Sequence, residues 1–276
     1  MERDERVHEM VRDGYTRVAE QSCGCGCGTG CCGSSSDPRE ISRAIGYSEE
    51  EMGAVPSRSN LGLGCGNPVA LAGVAPGETV LDLGSGAGFD AFLAARQVGE
   101  AGRVIGVDMT PAMITRAREN AREGGYHNVE FRLGEIEHLP VADRSIDVVI
   151  SNCVINLSPR KEQVFAEAFR VLRPGGRLLV SDMVMVGDLP GRVRTSVSAY
   201  VGCIAGAVSR ERYLALIRRA GFVGVEVLEE TAFPLDWMKN DPTAQVVLGD
   251  LELTPAEREA TESAIASIRV RAVRPA

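Results

Sequence analysis

The stretch Leu81-Asp82-Leu83-Gly84-Ser85-Gly86-Ala87-Gly88 decides the fold of this chain. An apolar strand, residues 80–83, runs into a glycine-rich turn, and an apolar helix follows over residues 89–98. Glycines at such a turn let the backbone approach a ligand closely, and they leave the amide groups of the next helix free. The order strand, glycine turn and helix therefore predicts a ligand site at the carboxyl end of the first strand of a parallel sheet.

The alternation of strand and helix continues along the chain. Further strands are predicted at residues 103–107, 129–133, 146–150, 177–181, 223–228 and 267–273, and helices at 111–124, 160–172 and from about 255. Continuous apolar strands that alternate with helices indicate a parallel sheet buried on both faces. We predict an α/β fold with a doubly wound, mostly parallel seven-stranded sheet.

The two ends of the chain differ from this core. Residues 3–20 carry apolar side chains at helical spacing, and residues 21–36 form a Gly/Cys/Ser tract that predicts a loop. Residues 41–60 are predicted to form another short helical segment, with a helix start at Ser48. We therefore expect an N-terminal helix, Cys-rich loop and lid segment over residues 1–60 and a core over residues 61–230. A connection, a helix and the last strand should occupy residues 231–276.

Composition excludes several classes of partner. The chain has 276 residues and a net charge of −8, which disfavours nucleic acid or an anionic membrane as the main partner. No apolar run approaches the length of a membrane span, and the charged amino terminus lacks the apolar region of a signal peptide. We expect a cytoplasmic location, where eight cysteines are mostly reduced thiols available for chemistry.

An acidic residue completes the ligand site. Asp108 lies 24 residues after Gly84, at the end of the second predicted strand, where a carboxylate can accept hydrogen bonds from both ribose hydroxyls. The dinucleotide fingerprint needs Gly or Ala at its sixth position, for close helix packing, and this chain has Phe89 there. The departure favours a nucleotide-like cofactor without a pyrophosphate.

Residues 81–88 resemble motif I of class I S-adenosylmethionine (SAM) methyltransferases, which have a Rossmann-like fold. The resemblance implies that Glu135 and Ile136 hold adenine, by carboxylate and backbone respectively, and that Met109 packs on the adenine ring. The full set of cofactor-binding residues it implies is Asp82, Gly84, Ser85, Gly86, Gly88, Asp108, Met109, Glu135, Ile136 and Asn152.

Three isolated cysteines lie far apart in the sequence, and the predicted fold brings at least two of them to one cleft. Cys153 follows the fourth strand, Cys203 lies in an apolar helix over residues 199–208, and Cys65 lies in a glycine-rich loop ahead of the sheet. A lone cysteine commonly packs as a small buried hydrophobe. Glycine on both sides of Cys65 argues against that interpretation there.

The cysteine segments, residues 60–68, 151–159 and 200–206, resemble the three cysteine motifs of arsenite SAM methyltransferases. The resemblance implies that Cys65, Cys153 and Cys203 bind arsenic and that arsenite, then methylarsenite, is methylated for detoxification. It also implies that thiols reduce the pentavalent product to leave a disulfide, which thioredoxin or glutathione resets.

The chemistry of arsenic explains a site made of thiols. Trivalent arsenic is soft and prefers thiolate ligands, and neutral arsenous acid condenses with three cysteines without a change of charge. Its lone pair attacks the sulfonium methyl group, so positioning is the main task and no general base is required. Accordingly, we interpret His8, His127 and His138 as surface residues.

The amino-terminal tract carries five further thiols, Cys23, Cys25, Cys27, Cys31 and Cys32. Their spacing lacks the C-x2-C pair of a zinc finger and no His is near, which favours a soft-metal scavenging tail over a zinc site. The pair Cys31 and Cys32 resembles cysteine pairs near a terminus of the arsenite family, which implies accessory arsenic binding. Two other functions stay open: methylation of another small molecule, and non-catalytic metal binding by thiolates.

Overall fold

The computed structural model describes residues 2–21, 37–191, 193, 206–232, 234–235 and 253–276. Within them, seven strands form one sheet in the order β3-β2-β1-β4-β5-β7-β6. The strands are β1 (Thr79–Leu83), β2 (Arg103–Asp108), β3 (Val129–Leu133), β4 (Ile146–Asn152), β5 (Leu172–Met185), β6 (Val223–Ala232) and β7 (Ile265–Val273). Strands β1 to β5 pair in parallel, and β7 pairs antiparallel with β5 and β6. The predicted fold class is confirmed.

Helices precede the sheet and connect its strands. They are α1 (Glu2–Gln21), α2 (Pro38–Ala44), α3 (Glu49–Gly53), α4 (Pro68–Leu71), α5 (Phe89–Val98), α6 (Pro111–Glu123), α7 (Lys161–Val171), α8 (Arg210–Arg219) and α9 (Pro255–Ala264). Single 3-10 turns lie at Ser57–Ser59 and Ile155–Leu157. Ser48 caps α3 through a capping box with Glu51, as its sequence predicts, because each side chain satisfies a backbone amide of the other.

Apolar side chains cover the sheet on both faces. Val80 belongs to one buried cluster with Phe92 of α5, whereas Leu81 belongs to another with Phe165 of α7. Successive side chains of a strand point to opposite faces, so a continuous apolar strand must be buried on both sides. Each fully buried side chain of this kind stabilises the fold by about 1.5–3 kcal/mol.

The segment before the sheet differs in detail from its prediction. Residues 41–60 form two short helices and a 3-10 turn instead of a single segment, since Gly46 adopts a left-handed φ of 105° that ends the helical path after α2. The predicted helix over residues 199–208 lies almost entirely outside the described residues. None of the described helices is both long and apolar enough to span a membrane.

Candidate functional site

A cavity lies at the carboxyl ends of β1, β2 and β4, where a doubly wound sheet binds its ligands. Most of the cofactor residues predicted from the sequence line it: Asp82, Gly84, Ser85, Gly86, Asp108, Met109, Ile136 and Asn152. Gly88 and Glu135 are not part of the wall. A Cβ at Gly88 would collide with Phe92 and Phe131, so this glycine permits close packing under the turn.

The glycine turn and the acid after β2 hold each other in place. The amide of Gly86 donates to Oδ2 of Asp108 over 3.0 Å, and the amide of Thr110 donates to Oδ1 over 2.8 Å. Burial raises the pKa of Asp108, while these two hydrogen bonds oppose the rise. At Gly84, where φ is 67°, a side chain would collide with Val154. The turn is therefore fixed with its backbone facing the cavity.

Two buried polar atoms on the cavity wall lack a protein partner. Oδ2 of Asp82 and Oγ of Ser85 accept or donate no hydrogen bond among the described residues. Burial raises the pKa of Asp82 well above its usual range, and the nearby carboxylates of Asp90 and Asp108 add to the rise. A buried acid with one unpaired oxygen in an acidic cavity calls for a cationic ligand with hydrogen-bond donors. The ammonium and sulfonium groups of SAM fit this requirement.

Cys65 is held firmly at the edge of the cavity. Its side chain is 3% exposed, its amide donates to Oδ1 of Asn152 over 3.0 Å, and its carbonyl accepts from Oγ of Ser267 over 2.6 Å. Nδ2 of Asn152 also donates to the carbonyl of Gly66 over 2.8 Å and to Asp90 over 3.1 Å. Asn152, predicted as a cofactor residue, therefore joins the Cys65 loop to β4.

Cys153 follows β4 in an unusual backbone conformation. Its φ is 57°, in the left-handed region that a side chain other than Gly seldom adopts, and its amide donates to the carbonyl of Ser181 over 2.8 Å. The sulfur atoms of Cys65 and Cys153 and a carboxylate oxygen of Asp182 all lie within 4.8 Å of one another. Two of the three predicted thiols thus meet beside the cavity, which Cys153 itself lines.

Cys203 and the tract of Cys23, Cys25, Cys27, Cys31 and Cys32 lie outside the described residues. The roles predicted for them stay predictions. Asp182 was not predicted, although it directly follows the predicted strand 177–181, and the carboxyl end of a parallel strand is where ligand-binding residues collect.

The interpretation of His8 as a surface residue is wrong, whereas His127 and His138 are exposed as predicted. His8 is 5% exposed and lines the cavity, and its Nε2 lies 3.0 Å from Oε1 of the buried Glu137. The sequence contained a signal, because His8 shares a helical face with Val11 and therefore turns inward when α1 packs on the core.

The His8–Glu137 pair predicts a dependence of stability on pH. The hydrogen bond to Glu137 raises the pKa of His8, with burial and Arg160 opposing and Glu135 assisting the rise. A raised pKa means that the stabilisation is fully present below about pH 6.5 and is lost as the pH rises through the folded-state value. His8→Gln should lower the free energy of unfolding by about 1 kcal/mol at pH 6 and by less at pH 8.5.

Denaturant unfolding at both pH values measures this difference. His127→Gln, which changes an exposed histidine, is the matched control and should leave the free energy of unfolding unchanged at either pH. An effect of His8→Gln that is the same at pH 6 and pH 8.5 would mean that the charge of His8 does not stabilise the fold.

Comparison with known proteins agrees with this geometry. The methyltransferase domain family Methyltransf_31 matches residues 75–221, which is more than half of the chain. An arsenite methyltransferase of Halobacterium salinarum is 50% identical over 84% of this chain and 62% of its own length. The human arsenite methyltransferase is 34% identical over 80% of this chain and 59% of its own length. The chain thus spans about three fifths of the length of these relatives.

A solved structure extends the likeness to three dimensions. The crystal structure of an arsenic(III) S-adenosylmethionine methyltransferase from Chlamydomonas reinhardtii superposes with a TM-score of 0.64 at 37% identity, covering 85% of this chain and 74% of that one. The fold and the site together define a class I SAM-dependent methyltransferase. Within this class, the chain belongs to the arsenite methyltransferase family.

Proposed function

We propose that this protein methylates trivalent arsenic, first arsenite and then methylarsenite, with SAM as the methyl donor. The observation that carries the proposal is the approach of the Cys65 and Cys153 sulfur atoms to within 4.8 Å at the cofactor cavity. A pair of thiols beside a methyl-donor site suits a soft acceptor atom such as trivalent arsenic, because thiolates are soft ligands and bind soft atoms in preference to hard ones.

The cavity residues divide the work of holding SAM, which supplies an electrophilic methyl group when bound. Asp108 accepts hydrogen bonds from the ribose, and Met109 and Ile136 enclose the adenine. Asp82 meets the cationic methionine end, which neutralises its buried carboxylate. The glycine turn lets its backbone lie close to the ligand, and Asn152 holds the Cys65 loop against β4 at the same time.

The thiols bind and orient the arsenic. Neutral arsenous acid condenses with three thiols and releases three molecules of water. It therefore needs no basic pocket, which agrees with the net charge of −8. Cys65 and Cys153 supply two of the sulfur atoms, and we assign the third to Cys203. Fixing donor and acceptor in one cleft removes the entropy of their encounter, which can contribute about 7–11 kcal/mol to lowering the barrier.

The reaction oxidises arsenic and therefore needs a thiol reductant. We propose that cysteines of the site reduce the pentavalent product and that thioredoxin or glutathione reduces the resulting disulfide. A reducing compartment such as the cytoplasm would keep the eight cysteines available for this cycle.

For the amino-terminal tract we propose arsenic capture at low concentration. Replacing Cys23, Cys25, Cys27, Cys31 and Cys32 by Ser should lower the rate several-fold at scarce arsenite and leave the rate at saturation unchanged, because scavenging raises only the local concentration. Initial rates over a range of arsenite concentrations measure this. Release of stoichiometric zinc from the wild type, or loss of folding in the variant, would instead indicate a structural metal site.

Transfer of a labelled methyl group from SAM tests the proposal against its two rivals. We expect transfer only when arsenite is present. A methyltransferase for another small molecule would bind SAM but transfer no methyl to arsenite. A non-catalytic thiolate protein would bind arsenite and transfer nothing to any acceptor.

A further inference from the structure

Asp182 is a buried acid beside the two thiols, and neither the cofactor cavity nor the core explains its presence there. It lies in β5, is 1% exposed, and one of its carboxylate oxygens is within 4.8 Å of both the Cys65 and Cys153 sulfur atoms. It does not line the cofactor cavity. Burying a carboxylate is costly, so a position next to the reacting atoms requires a physical reason.

The surroundings of Asp182 hold the carboxylate in one orientation. Oη of Tyr213 donates to its Oδ2 over 2.9 Å, while Nδ2 of Asn156 and the amide of Met183 donate to its Oδ1 over 2.8 and 2.9 Å. Burial raises the pKa of Asp182 to about 6, and these three neutral donors and the nearby charge of Lys161 oppose the rise, so the carboxylate is ionised at neutral pH. The result is a fixed negative charge that faces the thiol pair.

Charge moves during the reaction proposed above. The arsenic lone pair forms the new bond to carbon, and the carbon–sulfur bond of the sulfonium breaks with its electron pair staying on sulfur. No proton moves. Arsenic held by three thiolates is neutral before this step and carries a positive charge after it.

We propose that Asp182 is a catalytic residue whose negative charge stabilises the positive charge that develops on arsenic during methyl transfer. The inference rests on the proposed function. The positive charge moves from the sulfonium to arsenic, so an anion fixed beside the arsenic lowers the energy of the transition state more than that of the reactants, and it needs no reorganisation as the charge arrives. Burial strengthens the effect, because little water screens a charge in the interior.

The first test compares Asp182→Asn with Tyr213→Phe in a single turnover of enzyme loaded with arsenite and SAM. Asp182→Asn keeps the shape and removes the charge, so methyl transfer should slow by about 10- to 100-fold. Tyr213→Phe removes one donor to the carboxylate; at about pH 8, well above the pKa of about 6 that burial gives Asp182, the charge stays in place. This variant should therefore slow transfer by no more than about threefold at that pH. Arsenite binding by Asp182→Asn should stay within about threefold of the wild type, because the bound arsenite is neutral.

Binding of cadmium ion tests the charge without any turnover. Cd²⁺ prefers thiolates but brings a positive charge to the pair, so Asp182→Asn should weaken its binding by about 10- to 100-fold, and Tyr213→Phe by no more than about threefold. The five amino-terminal cysteines are replaced by Ser in all proteins compared, so that only the site thiols bind the ion. Asp182→Ser, which leaves room for water, replaces Asp182→Asn if the latter does not fold.

The results separate the possible failures. Slower transfer and weaker Cd²⁺ binding with intact arsenite binding would support the role of Asp182. Transfer at the wild-type rate, or slower transfer with unchanged Cd²⁺ binding, would overturn it, the latter because a merely structural residue does not act through charge. If the wild type itself transfers no methyl group to arsenite, the proposed function fails and this inference falls with it.

Discussion

Replacing Cys65 by Ser should remove activity on arsenite, by about 10³-fold, yet retain much of the activity on methylarsenite. Arsenite offers three positions to sulfur, whereas methylarsenite offers two, because carbon occupies the third. Cys153 follows β4 directly and Cys203 is predicted to follow β5, so we expect these two to form the permanent pair. Cys65, from the loop ahead of the sheet, is then the third ligand. Initial rates on the two substrates measure the difference.

The other two thiols provide the matched comparison. Cys153→Ser and Cys203→Ser should each abolish methylation of both substrates, because each removes a ligand that both substrates need. If the Cys65→Ser variant methylated arsenite at the wild-type rate, this result would contradict the three-thiolate mechanism for this protein. The anchoring of Cys65 through both its amide and its carbonyl means that Ser at this position should keep the loop in place.

Asp108→Ala should weaken SAM binding by about 1.5–3 kcal/mol, the scale of a hydrogen bond to a charged group, and should leave arsenite binding largely intact. Two backbone amides already orient this carboxylate toward the cavity, so its loss removes a prepared acceptor. Asp143→Ala, at an exposed carboxylate before β4 and thus at the opposite edge of the sheet, is the control. Calorimetry that found unchanged SAM affinity in Asp108→Ala would contradict the assignment.

The sequence predicts those parts of the structure that depend on local pattern. The strand of residues 80–83, the glycine turn and the helix from Phe89 to Val98 form a continuous signal, and the structure confirms the order and type of each element. Asp108 could be placed for the same reason, because the end of the next parallel strand lies at the same edge of the sheet.

The parts that were missed depend on contacts between distant residues. The burial of His8 follows from the docking of α1 near Glu137, 129 positions away. The anchoring of Cys65 follows from Asn152 and Ser267, 87 and 202 positions away. Periodicity shows which face of a helix is apolar, but it contains no information about the partner that covers a polar residue on that face.

Speciation of arsenic after incubation with arsenite, SAM and a dithiol tests the central claim most directly. We expect methylarsenic species to appear with time, in amounts that require both SAM and the enzyme, and Cys153→Ser should form none. If the wild-type protein bound SAM but all of the arsenic were recovered as arsenite, the account would be contradicted.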